Sequence, residues 1–262
     1  MPVVIPDLTL DQLRRAVAKI DPVSPLERKG GSLRLGVPAL DAALQGGLAF
    51  GALHELAPAG PFQLGATMGF ACALAALAAA DGRQVLCIET DFATLEGGAP
   101  YGRGLDHYGL SLDRLLILRV THPRDALWAF EEALRCPALA ATLAELPEDG
   151  AAADPVATRR LSLAAQAGGG LGLLLRQRIT PMPTAAITRW QVAAALSEPD
   201  RFGGLGRTRF DLSLNRNRRG RCGRFIASWN HDERSFLPQA LSLGMAEAAC
   251  DRSDRAPLRR SA

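Results

Sequence analysis

From Leu33 onward, short apolar runs alternate with helical runs, and this alternation constrains the fold more than any other feature of the chain. The strand candidates are Leu53–Leu56, Gln84–Glu89, Leu115–Val120, Leu139–Leu146 and Leu171–Arg176. Helical stretches separate them at Ala66–Ala80, Pro123–Arg135 and Pro155–Ala167. Strands that are apolar throughout must be covered on both faces, and helices between them supply the cover. The pattern therefore predicts an α/β fold with a mostly parallel sheet flanked by helices. Ala66–Ala80 is apolar nearly all round and is expected to be buried, with Gly82 placed to end it. In Pro123–Arg135, the residues Ala126, Leu127, Phe130, Ala133 and Leu134 form one stripe, and Pro137 stops the helix. Aromatic residues make up only 5% of the chain, so small and aliphatic side chains are expected to fill the core.

The two ends and one late segment break the pattern. Leu10, Leu13, Val17 and Ile20 follow the N-cap candidate Thr9 at helical spacing. Asp21-Pro22 and the stretch Pro25–Gly31 then interrupt it. Residues 1–30 thus read as a separable helical arm and linker, and residues 31–238 as the core. Residues 239–262 lack an apolar pattern and are expected to be a disordered tail. Within the core, Phe210, Leu212 and Leu214 alternate with polar residues, as do Phe225, Ala227 and Trp229. Residues 209–229 therefore predict an antiparallel hairpin with a basic tip, appended to the C-terminal side of the parallel sheet.

Of the 30 basic residues only Lys19 and Lys29 are lysines, and the rest are arginines. Arg201, Arg207, Arg209, Arg216, Arg218, Arg219, Arg221 and Arg224 face one acid in that stretch, Asp211. Guanidinium forks suit phosphate, so contact with DNA is one reading. A solvated loop in an arginine-biased chain and an acidic protein partner are the others. The five cysteines are far apart, with no CxxC spacing, and indicate neither a disulfide framework nor a metal site. The N-terminus lacks the pattern of a signal peptide, and the most apolar window is shorter than the ~20 residues that span a bilayer. A cytoplasmic protein with no membrane partner is expected.

A parallel sheet directs attention to the turn after its first strand, where phosphate loops stand. Here that turn lies within HELAPAGPFQLGATMGF. Gly60 and Gly65 are candidate turn residues and Thr67 a candidate hydroxyl. No lysine follows Lys29, however, and no arginine lies between Arg34 and Arg83 to hold the terminal phosphates. Asp91 and Glu145, at or just past strand ends, lie on the edge where such sheets bind ligands; with the turn they read either as a degenerate nucleotide site or as solvated or capping carboxylates beside a plain strand-to-helix turn. His54, His107, His122 and His231 form no HxH or HExxH pair, and GxSxG is absent. No catalytic residue, resident metal or cofactor is assigned.

The run LRLGVPALDAALQGGLAFGALHELA resembles the entry to a RecA core, and VLCIETDFATLEGGAPYGRGLDHYGLSLDRLLILR resembles its next two strands. By this likeness Asp91 stands where RecA proteins keep the glutamate that activates water. Glu145 stands near the acid that ends the Walker B strand, and the phosphate-loop lysine and its adjacent Thr are unmatched. A closer likeness is to the ImuA family, RecA-related members of bacterial inducible mutagenesis cassettes. It is carried by THPRDALWAFEEALRCPALAATLAEL, TRRLSLAAQAGG, LGLLLR, TRWQVAA and LNRNRRGRCGRFIASW, in that order, between Leu33 and Trp229. The resemblance implies a RecA-like fold and a non-catalytic accessory role in error-prone translesion DNA synthesis after DNA damage, within the SOS response. It implies as partners an ImuB-like protein related to Y-family polymerases and an error-prone replicative-type polymerase, with RecA and single-stranded DNA as further candidates. Two other readings stay open: a SulA-like cell-division inhibitor, and a divergent RecA-like DNA-dependent ATPase.

Overall fold

The computed structural model describes residues 31–146, 154–178, 182–199 and 202–237. The N-terminal arm and the C-terminal tail lie outside the described residues. The expected parallel strands are all present, as β3 (Ala52–Pro58), β4 (Gln84–Thr90), β5 (Leu115–Val120), β6 (Leu139–Glu145) and β7 (Leu171–Leu175). The expected hairpin is β9 (Arg209–Asn217) and β10 (Gly223–Asn230), followed by a short β11 (Ser235–Leu237). One further strand, β8 (Thr188–Ala194), joins the two halves. Together they form a nine-stranded sheet in the order β11-β10-β9-β8-β3-β7-β6-β4-β5. Every pair from β8 through β3 to β5 is parallel, and the pairs from β8 to β11 are antiparallel. A separate two-stranded ribbon, β1 (Ser32–Leu33) and β2 (Leu48–Ala49), flanks a short helix α1 (Pro38–Ala43).

Helices cover both faces. The first face carries α2 (Leu64–Ala78), whose core residues meet Leu56, Leu143, Leu173 and the inward side chains of the hairpin. A 3-10 turn continues α2 to Asp81, and Gly82, at φ 93°, ends it in the left-handed conformation that glycine tolerates. The helix with this turn is long and apolar enough to cross a membrane by length and composition, and half of that window is buried in the protein. The second face carries α5 (Pro123–Leu134) and α6 (Pro155–Gly168), which pack Phe130, Leu134 and Leu161 onto Leu53, Ile88 and Leu174. Two short helices, α3 (Asp91–Gly97) and α4 (Gly102–His107), lie between β4 and β5.

Aliphatic residues fill most of the core, as expected, but the few large aromatic residues converge at one place. Phe70 of α2 lies 5.9 Å from Trp190, 5.6 Å from Phe210 and 5.8 Å from Phe236, between ring centroids. Trp229 stands edge-on to Phe236 at 4.8 Å. These tilted and edge-to-face pairs fasten the hairpin to the parallel half through α2. Gly69 lets Tyr108 pack directly on α2, because a β-carbon there would lie 2.5 Å from the Tyr108 hydroxyl.

Candidate functional site

β3 ends at Pro58 and α2 begins at Leu64, so the connecting turn occupies the position of a phosphate loop. Read in register, Gly60 to Thr67 has the spacing of the phosphate-loop pattern, with Ala66 in place of its lysine. Thr67 therefore does stand on the pattern, and the spacing between Gly60 and Gly65 was the signal for it. A β-carbon on Gly60 or Gly65 would meet nothing within 4 Å. The positive φ in this turn falls instead on Phe62, at 63°. Thr67 is buried and its hydroxyl donates to the Gln63 carbonyl at 3.0 Å. The Gln63 side-chain oxygen accepts from the Ala194 amide at 2.8 Å, which ties the turn to the end of β8. The described residues of this turn do not fit ATP with magnesium: none of them carries a cation for the terminal phosphates, and the Thr67 hydroxyl is bonded to the helix backbone.

A stability measurement checks this. In a phosphate loop the glycines are the residues least able to accept a side chain. Here Gly65→Ala, within the first turn of α2, is expected to raise stability by about 0.5–1 kcal/mol, visible in urea unfolding. A clear loss of stability would show that the bare glycine is required.

Beside the turn, on the first face, lies a cavity of about 520 Å³. Its floor is formed by β4 to β7, one wall by α2 and its cover by the segment from Ala93 to Leu105. Met68, Cys72, Cys87, Leu115, Ile117 and Leu143 make it largely apolar, and burial pushes the Cys72 thiol up to about 12. Glu89 and Glu145 enter it from the ends of β4 and β6. Both carboxyls are held above the usual range, first by burial. For Glu89, Arg119 opposes the shift and the charge on Glu145 adds to it. For Glu145, Glu96 adds to it and a hydrogen bond from Gln177 opposes it. The structure thus brings Glu145 together with Glu89, which had not been singled out from the sequence. Strand parity was the available signal, since Glu89 shares a face with Val85 and Cys87. Asp91 opens α3 beyond the strand and does not line the cavity; its charge complements the amide end of that helix.

The seven candidate arginines of the hairpin do not form one patch. Arg207 and Arg209 lie at the start of β9, where Arg209 donates to the Leu196 carbonyl at 3.1 Å. Arg216, Arg218, Arg219 and Arg221 lie at its far end. β9 runs antiparallel to β8, so this end sits at the sheet edge opposite the β3–α2 turn. Arg224 is paired with Asp211 through two bonds, one of them 2.7 Å from Nε to Oδ1. An irregularity in the β8–β9 register sets Arg216 opposite Arg189 while Leu214 is opposite Trp190, so the extra residue, Asn215, turns Arg216 to the second face. There Arg216 and Arg218 both donate to the Thr184 carbonyl, at 3.0 and 2.9 Å. The tip itself packs on α1: Asn217 and the Arg221 amide both donate to the Ala43 carbonyl, and a β-carbon on Gly220 would lie 2.1 Å from that oxygen. The side chains of Arg219 and Arg221 are exposed.

Two buried polar groups stand in β3, between these regions. Glu55 points to the second face and pairs with Arg176 and Arg189, each guanidinium Nε at 3.3 Å from one carboxylate oxygen. His54 points to the first face and bonds Thr188 and the Ala49 carbonyl. Of the other histidines, His107 and His231 stack with centroids 3.4 Å apart.

No family model matches the chain. It is 31% identical over 215 residues to Protein ImuA of Caulobacter vibrioides strain NA1000 / CB15N, an alignment covering 74% of this chain and 82% of that protein. Protein ImuA of Caulobacter vibrioides strain ATCC 19089 / CIP 103742 / CB 15 aligns with the same identity and coverage. An alignment of this extent takes in most of the sheet and its covering helices, and on that ground the chain belongs to the ImuA family.

Proposed function

We propose that this protein is a non-catalytic, RecA-like accessory subunit of a damage-induced, error-prone translesion synthesis complex in the cytoplasm. Membership of the ImuA family supports the setting in inducible mutagenesis. Its partners in this reading are an ImuB-like protein and an error-prone replicative-type polymerase, with RecA and single-stranded DNA as further contacts. The observation that carries the non-catalytic part is the β3–α2 turn. It keeps the place and spacing of a phosphate loop, but Ala66 stands at the lysine position and Thr67 is bonded within its own helix. Charge developing on a transferred phosphoryl group would go unstabilised there. Steady-state ATP hydrolysis is expected at background level with and without single-stranded DNA. DNA-stimulated turnover that disappears in Asp91→Asn would overturn the reading.

DNA contact belongs to the hairpin tip in this reading. Arg216 and Arg218 also hold the Thr184 carbonyl, so replacing them mixes folding with binding. The double variant Arg219→Ala/Arg221→Ala is the cleaner probe. It is expected to weaken binding to single-stranded DNA and to flatten the log–log salt dependence by up to about 0.7 per lost phosphate contact. An unchanged slope would assign these arginines elsewhere.

A further inference from the structure

The edge of the sheet that carries the β3–α2 turn exposes several large apolar residues. The loops after β3, β4 and β8 all emerge at this edge because these strands are parallel. They expose Phe62, Leu95, Tyr101, Leu196, Phe202 and Leu205. Phe62 is fully exposed and also holds a left-handed backbone that disfavours a bulky side chain. Large apolar side chains left in solvent along one sheet edge, around an apolar cavity, mark an interaction surface. Phe62 and Tyr101 also border the 520 Å³ cavity. Inside it, Glu89 is 8% exposed, and its Oε2 is buried with no hydrogen-bond partner among the described residues. Arg119 Nη2 is ion-paired with that oxygen at 3.9 Å but lies beyond hydrogen-bond distance, so the carboxylate keeps an acceptor site facing the cavity. Glu145 lines the same space and Glu96 lies at its mouth. An apolar cavity that holds an unsatisfied carboxylate oxygen fits a ligand that is apolar with a cationic donor. The apolar surface spreads well beyond the cavity, so the ligand is a chain segment and not a small molecule.

We propose that this edge docks a segment of a partner protein that inserts apolar anchor side chains into the cavity and sets an arginine or lysine against Glu89 and Glu145. The inference deepens the partner-binding reading above and rests on it. In that view the edge that serves nucleotide in ATPases of this layout has become a protein-binding edge.

The experiment has two arms, both on the full chain. In the first, a fluorescein-labelled amphipathic peptide of leucine and arginine is titrated against the protein, beside a peptide in which glutamate replaces every arginine. The basic peptide is expected to bind at least tenfold more tightly than the acidic one. Glu89→Gln/Glu145→Gln, which keeps side-chain volume, is expected to remove that preference, and Met68→Arg to block binding. In the second, a photo-crosslinking residue at Phe62 or Leu95 is expected to trap a co-expressed ImuB-like protein, while one at Trp128 on α5 does not. Equal affinity for the two peptides, or an unchanged preference in the double variant, overturns the proposal. So does a Phe62 crosslink to a second copy of this chain or to its own residues 1–30. If the ImuB-like protein is not held at all while the basic peptide prefers the edge in a Glu89- and Glu145-dependent way, the partner named above is wrong and the docking site stands.

Discussion

Glu55→Ala is expected to destabilise the protein by about 3–5 kcal/mol, the usual effect of removing one member of a buried ion pair. Glu55 is 2% exposed and sits in the middle of the sheet, on β3. Arg189 reaches it from β8 and Arg176 from just past β7, so one carboxylate compensates guanidiniums from both neighbouring strands. Arg189 also donates to the Met182 carbonyl at 2.9 Å. Deleting the carboxylate leaves both guanidiniums without it in a place from which water is excluded, with Arg216 close enough to repel Arg189 further. That imbalance, more than the loss of two 3.3 Å bonds, sets the size of the effect. The measurement is the urea midpoint at pH 7. Glu55→Leu combined with Arg176→Met and Arg189→Met is expected to recover much of the loss, because an apolar replacement of the whole cluster no longer strands a charge. A Glu55→Ala protein within about 1 kcal/mol of the parent would show that the arginines find other counterparts.

The same cluster explains why part of the fold could be read from the sequence and part could not. β3, β4, β6 and β7 announce themselves because helices cover both their faces and most of their residues are apolar. α2 is legible for the same reason. β8 is not. In Thr188–Ala194 the core residues Trp190 and Val192 are interrupted by Arg189 and Gln191, and the run reads as a half-polar loop. Arg189 is tolerated inside only because Glu55, far away in sequence, lies directly across from it in the register. The arginines of residues 201–224 show the converse. They are close in sequence, but β9 spans nine residues, about 30 Å at strand rise. It therefore carries Arg209 and Arg219 to opposite edges of the sheet. The bulge at Asn215 then turns Arg216 away from the face that simple alternation assigns to it. At the β3–α2 turn, the spacing of Gly60, Gly65 and Thr67 was visible in the chain, and the missing lysine obscured it. The cavity was out of reach, since its lining runs from Phe62 to Leu175 and depends on how the short helices α3 and α4 sit over β4 and β5.

Acid is expected to unfold the protein partly through His54. The imidazole is fully buried, and its pKa is lowered from 6.5 to about 4, first by burial, with the Ala49 carbonyl opposing and Arg219 contributing. Its contacts fix one neutral form. Nε2 lies 2.9 Å from the Ala49 carbonyl, which can only accept, so Nε2 carries the proton. Nδ1 then accepts from the Thr188 hydroxyl at 2.7 Å, and that hydroxyl oxygen accepts from Trp190 Nε1 at 2.7 Å. The polar side-chain atoms of His54, Thr188 and Trp190 are all satisfied in this run, and a second proton on Nδ1 would face a donor. Because the folded pKa is the lower one, the contribution is complete above about pH 6.5. As pH falls, the unfolded chain takes up a proton that the fold refuses, and stability is lost until about pH 4. The shift corresponds to about 3 kcal/mol in full and about 2.5 kcal/mol by pH 4.5. Other groups titrate in the same range. His231 is shifted down as well, while Glu89 and Glu145 are shifted up and so favour the fold as pH falls. Comparing the parent with His54→Gln removes these common contributions. The variant is expected to be less stable at pH 7, since glutamine reproduces the hydrogen bonds imperfectly. Its deficit should shrink by about 2.5 kcal/mol between pH 7 and pH 4.5 in urea titrations. A deficit that stays constant across that interval would mean that His54 takes up its proton in the folded protein, and that the Ala49–His54–Thr188–Trp190 chain opens to let it.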